Sequence, residues 1–111
     1  TPKQEEPSAA IRERVNAARE RQRQRFEGKP YHCNADIPAG ELQEMCPTTQ
    51  AASQLLQRAF DRFGFSARTY GRVVKVARTI ADLDGSDQID TSHVAEAVQY
   101  RTLDRKYWLK K

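Results

Sequence analysis

Three successive segments of this chain repeat apolar residues at three- and four-residue spacing, and each opens on a short polar side chain suited to capping a helix. Thr48 or Thr49 precedes Ala52, Leu55, Leu56, Ala59, Phe60 and Phe63, and Gly64 follows. Ser66 precedes Tyr70, Val73, Val74, Ala77, Ile80 and Ala81, and Gly85 follows. Asp90 precedes Val94, Ala97 and Val98. Glycine just past an apolar repeat supplies the left-handed residue that ends a helix. No segment alternates apolar and polar residues with period two, so no strand is expected. The pattern predicts an all-α fold: a small bundle of four to five helices whose core is Ala51 to Gly64, Ala67 to Asp84 and Thr91 to Arg101.

The rest of the chain is arranged around that core. Residues 1–7 hold two prolines and two glutamates without apolar periodicity and are expected to be a disordered linker. Residues 8–28 predict a basic leading helix, capped by Ser8, with Ile11, Val15, Ala18 and Phe26 on a narrow apolar seam. Arg12, Arg19 and Arg23 flank that seam on one side, and Arg14, Arg21 and Arg25 on the other. Most helix stability in proteins comes from packing an apolar face, so so narrow a seam predicts fraying in isolation. Residues 29–105 are the expected main domain, entered through a connector from Lys29 to Ile37 and a short helix from Pro38 to about Cys46. Residues 106–111 are the expected flexible tail.

At 111 residues, one core is the default, and 38% hydrophobic with 31% charged residues fits a small globular unit with a polar arm. No apolar run approaches the roughly 20 residues of a membrane-spanning helix, so a soluble, cytoplasmic protein is expected. The net charge is +4, and 13 of the 19 basic residues are arginine, which favours phosphates, acidic surfaces or nucleic acid as partners. Cys33 and Cys46 are too few for a disulfide framework. His32 beside Cys33 would need His93 from a distant element to complete four ligands, so no metal site is expected. His93, just inside the last predicted helix, reads as a packing or capping side chain.

Ser66-Ala67-Arg68-Thr69-Tyr70-Gly71-Arg72-Val73-Val74-Lys75-Val76-Ala77-Arg78-Thr79-Ile80-Ala81-Asp82-Leu83, followed by Ile89, His93 to Val98 and Tyr100-Arg101, resembles the C-terminal region of the magnesium-chelatase-like AAA+ ATPases of the bacterial YifB/ComM type. The run Arg12 to Val15 with Ala17 to Gln22 is similar to the segment that follows the last core strand in that family. The resemblance implies a C-terminal helical lid that closes over ATP and magnesium held by a separate N-terminal AAA+ core domain. It implies a ring, with a hexamer expected, whose neighbouring subunits share the nucleotide site, and a motor acting on DNA. The chain itself has no Gly-Lys-Ser/Thr phosphate loop and no apolar strand ending in paired acids. Alone it is therefore expected to be a monomer without ATPase activity.

By position in the matched motif, Arg68 would be the sensor-2 arginine that reaches the γ-phosphate. The residues point the same way, because Arg68 falls in the first turn after Ser66, where the helix dipole favours an anion. Arg72 and Lys75 share its face and are candidate nucleotide or subunit contacts, although for these two an ordinary solvated basic face is the favoured reading. Arg12, Arg14, Arg19, Arg21, Arg23 and Arg25 are candidate nucleic-acid or subunit contacts. The alternative reading is a free-standing basic histone-like DNA-binding module, in which a helix, the Ile89 loop and a helix form the unit.

Overall fold

The chain's computed structural model describes residues 8–109, with side chains through residue 100. The linker expected at residues 1–7 lies outside the described residues. Five α-helices are described: α1 (Ser8–Arg25), α2 (Leu42–Met45), α3 (Gln50–Phe63), α4 (Ala67–Leu83) and α5 (Thr91–Leu109). Single 3-10 turns at Asn34–Asp36 and Ala39–Glu41 occupy the connector between α1 and α2.

The caps form as the sequence dictates. Thr49 accepts the Ala52 N–H at 3.1 Å, and Ser66 accepts the Thr69 N–H at 3.1 Å. Gly64 and Gly85 take the left-handed conformation, with φ of +64° and +74°. At the end of α4 the Ser86 N–H reaches the Ala81 carbonyl and the Gly85 N–H reaches Asp82, so two carbonyls of the last turn are satisfied together. α5 opens on a reciprocal arrangement: the His93 and Val94 N–H groups bond to the Asp90 carbonyl, and His93 Nδ1 accepts the Asp90 N–H at 2.9 Å. His93 thus fills the place usually taken by glutamate three residues into a helix.

The core is built from Ala52, Leu56 and Ala59 of α3, Val73, Val74, Ala77 and Ala81 of α4, and Val94 and Ala97 of α5, closed by Phe26, Ile37 and Ile89. Each large apolar side chain in it contributes about 1.5–3 kcal/mol relative to exposure. No strand occurs among the described residues. A single parallel bridge links Thr48 with Ile89, whose N–H and carbonyl meet the Pro47 carbonyl and the Thr49 N–H. That bridge fastens the loop before α3 to the loop before α5.

One helix end and one packing face differ from the expectation. α5 continues to Leu109, past Arg101, the expected end of the last core helix, and no glycine or proline occurs from Thr91 onward to stop it. α1 is only partly packed through its apolar seam: Ala18 and Phe26 are buried, whereas Ile11 remains 43% exposed. Polar contacts add to its attachment, from Arg25 to Asp82 of α4 and from Arg21 to Gly85 and Asp87 in the turn that follows α4.

Candidate functional site

α4 carries the motif at the heart of the sequence reading. Its first turn places Arg68 on the surface, held in register by the Ser66 cap. One turn further on, Arg72 is also exposed, and Lys75 is half-buried. All three border one concavity of about 600 Å³, whose apolar floor includes Leu42, Val76 and Ala97. The floor is close because Gly71 is buried against α2: a Cβ there would lie 3.3 Å from Leu42 Cδ1. The three cations are not equivalent. Lys75 Nζ donates to the Ala35 carbonyl at 3.0 Å, so this ammonium braces the connector against α4.

The arginines of α1 divide in the same way. Arg12, Arg14 and Arg19 are exposed. Arg21 donates to Asp87 Oδ1 and to the Gly85 carbonyl, both at 2.9 Å. Arg23 pairs with Glu20, and the bonds from Arg23 and Gln24 hold the Glu20 carboxyl below its ordinary range. Arg25 reaches inward to Asn34 and Asp82. Arg21 and Arg25 are therefore committed to partners elsewhere in the fold, whereas, among the described residues, Arg23 stays exposed and pairs only along its own helix.

Sequence reasoning passed over the most buried polar cluster. Arg78 and Asp82 are each 1% exposed and Asn34 is 2% exposed. Arg78 Nη2 lies 3.1 Å from Asp82 Oδ1, while its guanidinium also caps the carbonyls of Ser86 and Asp87. Asn34 Nδ2 donates to Asp82 Oδ2 and to the Thr79 hydroxyl, both at 3.0 Å. Burial alone would raise the Asp82 carboxyl, but the bonds from Arg25 and Asn34 and the Arg78 charge outweigh it and hold it low. Burial depresses Arg78 in turn. The signal was present in the sequence: at about 100° per residue, Arg78 falls within about 40° of Val74, inside the apolar stripe, with Asp82 one turn beyond.

Cys33 is exposed, its thiol 3.2 Å from Asp36, and Cys46 is buried. Among the described residues no group of three or more His, Cys, Asp or Glu side chains is arranged to hold a metal ion. His93 Nε2 lies 3.0 Å from Asp84 Oδ2, so both ring nitrogens serve the turn between α4 and α5. No described helix is long and apolar enough to cross a membrane.

The family described as magnesium chelatase, subunit ChlI C-terminal, matches residues 5–101 of this chain. YifB of Escherichia coli (strain K12) is 42% identical over 100 residues, which cover 90% of this chain and 19% of YifB. Competence protein ComM of Haemophilus influenzae is 41% identical over 100 residues, again 90% of this chain and 19% of the relative. A Mycobacterium tuberculosis (strain H37Rv) relative is 32% identical over 96 residues, 86% of this chain and 19% of its own length. The chain thus spans about a fifth of the length of these relatives. No solved structure matches it. With Ser66–Arg101 folded as that likeness implies and nearly the whole chain matched, the protein belongs to the magnesium chelatase ChlI C-terminal family, as the C-terminal domain of a magnesium-chelatase-like protein of the YifB/ComM type.

Proposed function

We propose that this chain is the helical lid of an AAA+ ATPase, and that Arg68 is its sensor-2 arginine. In this reading the lid, residues 29–105 with α1 bonded to it, closes over ATP and magnesium held by the N-terminal core of the same protein. ATP supplies the transferable phosphoryl group and magnesium neutralises its charge. The observation that carries the reading is the placement of Arg68, which stands exposed in the first turn of α4 on the rim of a concavity shared with Arg72 and Lys75. A guanidinium there can form the bidentate contact that a phosphate accepts, beside a helix terminus that favours negative charge. Arg68 and Arg72 on one rim suit one side of a triphosphate. The rest of its donors, and the ligands for magnesium, would come from the core.

Arg72 is the second candidate contact, for the nucleotide or for an adjacent subunit. Lys75 acts in this reading by holding Ala35, and with it the connector that forms one wall of the concavity. The whole protein would assemble as a ring, with a hexamer the expected size. A relative carries the name of a competence protein, which supports DNA as the motor's substrate. The histone-like alternative is less well supported, since Arg21 and Arg25 are taken up by partners elsewhere in the fold and the bridge between Thr48 and Ile89 lies within one chain.

A titration of this 111-residue chain with magnesium ATP, followed by backbone amide shifts, tests the placement. The expected result is a small, non-saturating perturbation centred on Ala67, Arg68 and Gly71. Tight saturable binding, or perturbation confined to α1, would contradict it.

A further inference from the structure

The cluster around Asp82 sits where α1 meets the rest of the domain. Arg25, the last residue of α1, closes its fork on both Asp82 oxygens at 2.9 and 2.6 Å; its side chain is 15% exposed and that of Asp82 is fully buried. One turn earlier on α1, Arg21 donates to the Gly85 carbonyl and to Asp87 in the turn after α4. Arg78 bonds the carbonyls of Ser86 and Asp87, and Asn34 ties the connector to the same carboxylate. The C-terminal end of α4 is thus held from α1, from the connector and from its own following turn. The seam of α1 adds the buried side chains of Ala18 and Phe26. Apolar contact is non-directional, whereas a bidentate guanidinium–carboxylate pair fixes an angle as well as a distance.

We infer that the fork of Arg25 on Asp82 is a positioning device for Arg68, locking the bundle of α2 to α5 onto α1 at one angle. The inference rests on the lid reading. In that reading the N-terminal core joins the domain through α1, so the angle between α1 and α4 decides where Arg68 meets the nucleotide. Arg68 and Asp82 occupy the first and last turns of the same helix. At about 1.5 Å per residue the arm between them is about 21 Å, so a tilt of about 3° at the clamp moves the first turn by about 1 Å. A misplacement of that size can cost about 10²-fold in rate. A buried ion pair offers little net stability over an apolar replacement of the same shape; what it can add is a single permitted geometry. Arg25 never approaches the nucleotide: it acts through Arg68 and leaves the phosphate contacts of the core untouched.

The test is a double-mutant cycle on the full-length protein, read by single-turnover ATP hydrolysis and by thermal melting. Arg25→Ala is expected to slow hydrolysis about tenfold or more when Arg68 is present and less than about twofold in the Arg68→Ala background, where nothing is left to position. Its effect on the melting temperature should be the same in both backgrounds, because the two sites are about 21 Å apart. Arg21→Ala, which breaks only the exposed contact to the turn, should show the same dependence on Arg68 with a smaller loss, and it replaces Arg25→Ala in the cycle if that variant does not fold. Unchanged hydrolysis in the folded variant, or losses of equal size in both backgrounds, would overturn the inference. In those cases slow hydrolysis by Arg68→Ala alone leaves the lid reading standing. Wild-type hydrolysis by Arg68→Ala would instead remove the lid reading and this inference with it.

Discussion

Arg25 clamps Asp82 from the far end of α1, donating from Nη1 to Oδ2 at 2.9 Å and from Nη2 to Oδ1 at 2.6 Å across 57 residues of sequence. The same carboxylate receives Arg78 and Asn34, so one buried acid joins α1, the connector and α4. Removing it leaves the Arg78 guanidinium buried without its counter-ion. Asp82→Ala should therefore cost about 3–5 kcal/mol, the usual penalty for breaking a buried pair from one side. Arg25→Ala should cost less, about 1–3 kcal/mol, because Asp82 keeps Arg78 and Asn34. Urea denaturation of the 111-residue chain measures both, and the opposite rank order would contradict this account of the cluster.

The cluster also sets the response to acid. Because the folded-state pKa of Asp82 is depressed, its contribution is fully present above the unfolded value of about 3.9 and is lost as pH falls through the lower folded value. Stability should thus decline below about pH 4, and Asp82→Asn should flatten that decline. Chemical denaturation across that range is the measurement.

The alkaline side has a separate source. The Tyr31 hydroxyl donates to the Glu41 carboxylate, and this bond, with burial, pushes its pKa up to about 12. A raised folded-state pKa stabilises the fold below the unfolded value of about 10 and loses that contribution as pH rises toward 12. Tyr31→Phe should remove the alkaline limb and, because the same bond holds the Glu41 carboxyl low, should also lessen the acid limb, leaving the share that Asp82 contributes.

Helix ends give a local check on the fold. Thr49→Ala and Ser66→Ala should each cost about 1 kcal/mol, since each leaves a first-turn N–H without its side-chain acceptor. Gly64→Ala should be destabilising through backbone strain at φ +64°, although nothing crowds the space a methyl group would occupy. Thermal melts of the single variants test all three.

The helices were legible because their signals are local: Thr49, Ser66, Gly64 and Gly85 sit where the chemistry of helix ends requires them, and α3 and α4 turn the predicted apolar faces inward except at Phe63, which remains 41% exposed at the end of α3. What could not be read depends on partners distant in sequence. Arg25 lies on the same stripe of α1 as Arg14, and only the approach of α4 separates an inward clamp from an exposed side chain. Lys75 looks like a third member of a basic face until the connector places the Ala35 carbonyl beside it. Arg78 was hidden differently: its place among apolar neighbours was visible, but the motif drew attention to the exposed cations instead. The resemblance located Arg68 directly, and the fold adds that it is exposed and shares its concavity with Arg72.

Steady-state ATP hydrolysis by the full-length protein carrying Arg68→Ala is the most direct test of the lid reading. Arg68 is exposed on α4, so the substitution should leave the melting temperature of the domain nearly unchanged. Turnover should fall strongly, toward the roughly 10³- to 10⁵-fold losses associated with arginines that stabilise a transferring phosphoryl group, with sensor arginines at the lower end. Arg68→Lys should restore only part of it, because the ammonium keeps the charge without the bidentate fork. Wild-type turnover in Arg68→Ala with loss in Arg72→Ala would move the assignment one helical turn along α4, and wild-type turnover in both would contradict a nucleotide-sensing role for this helix.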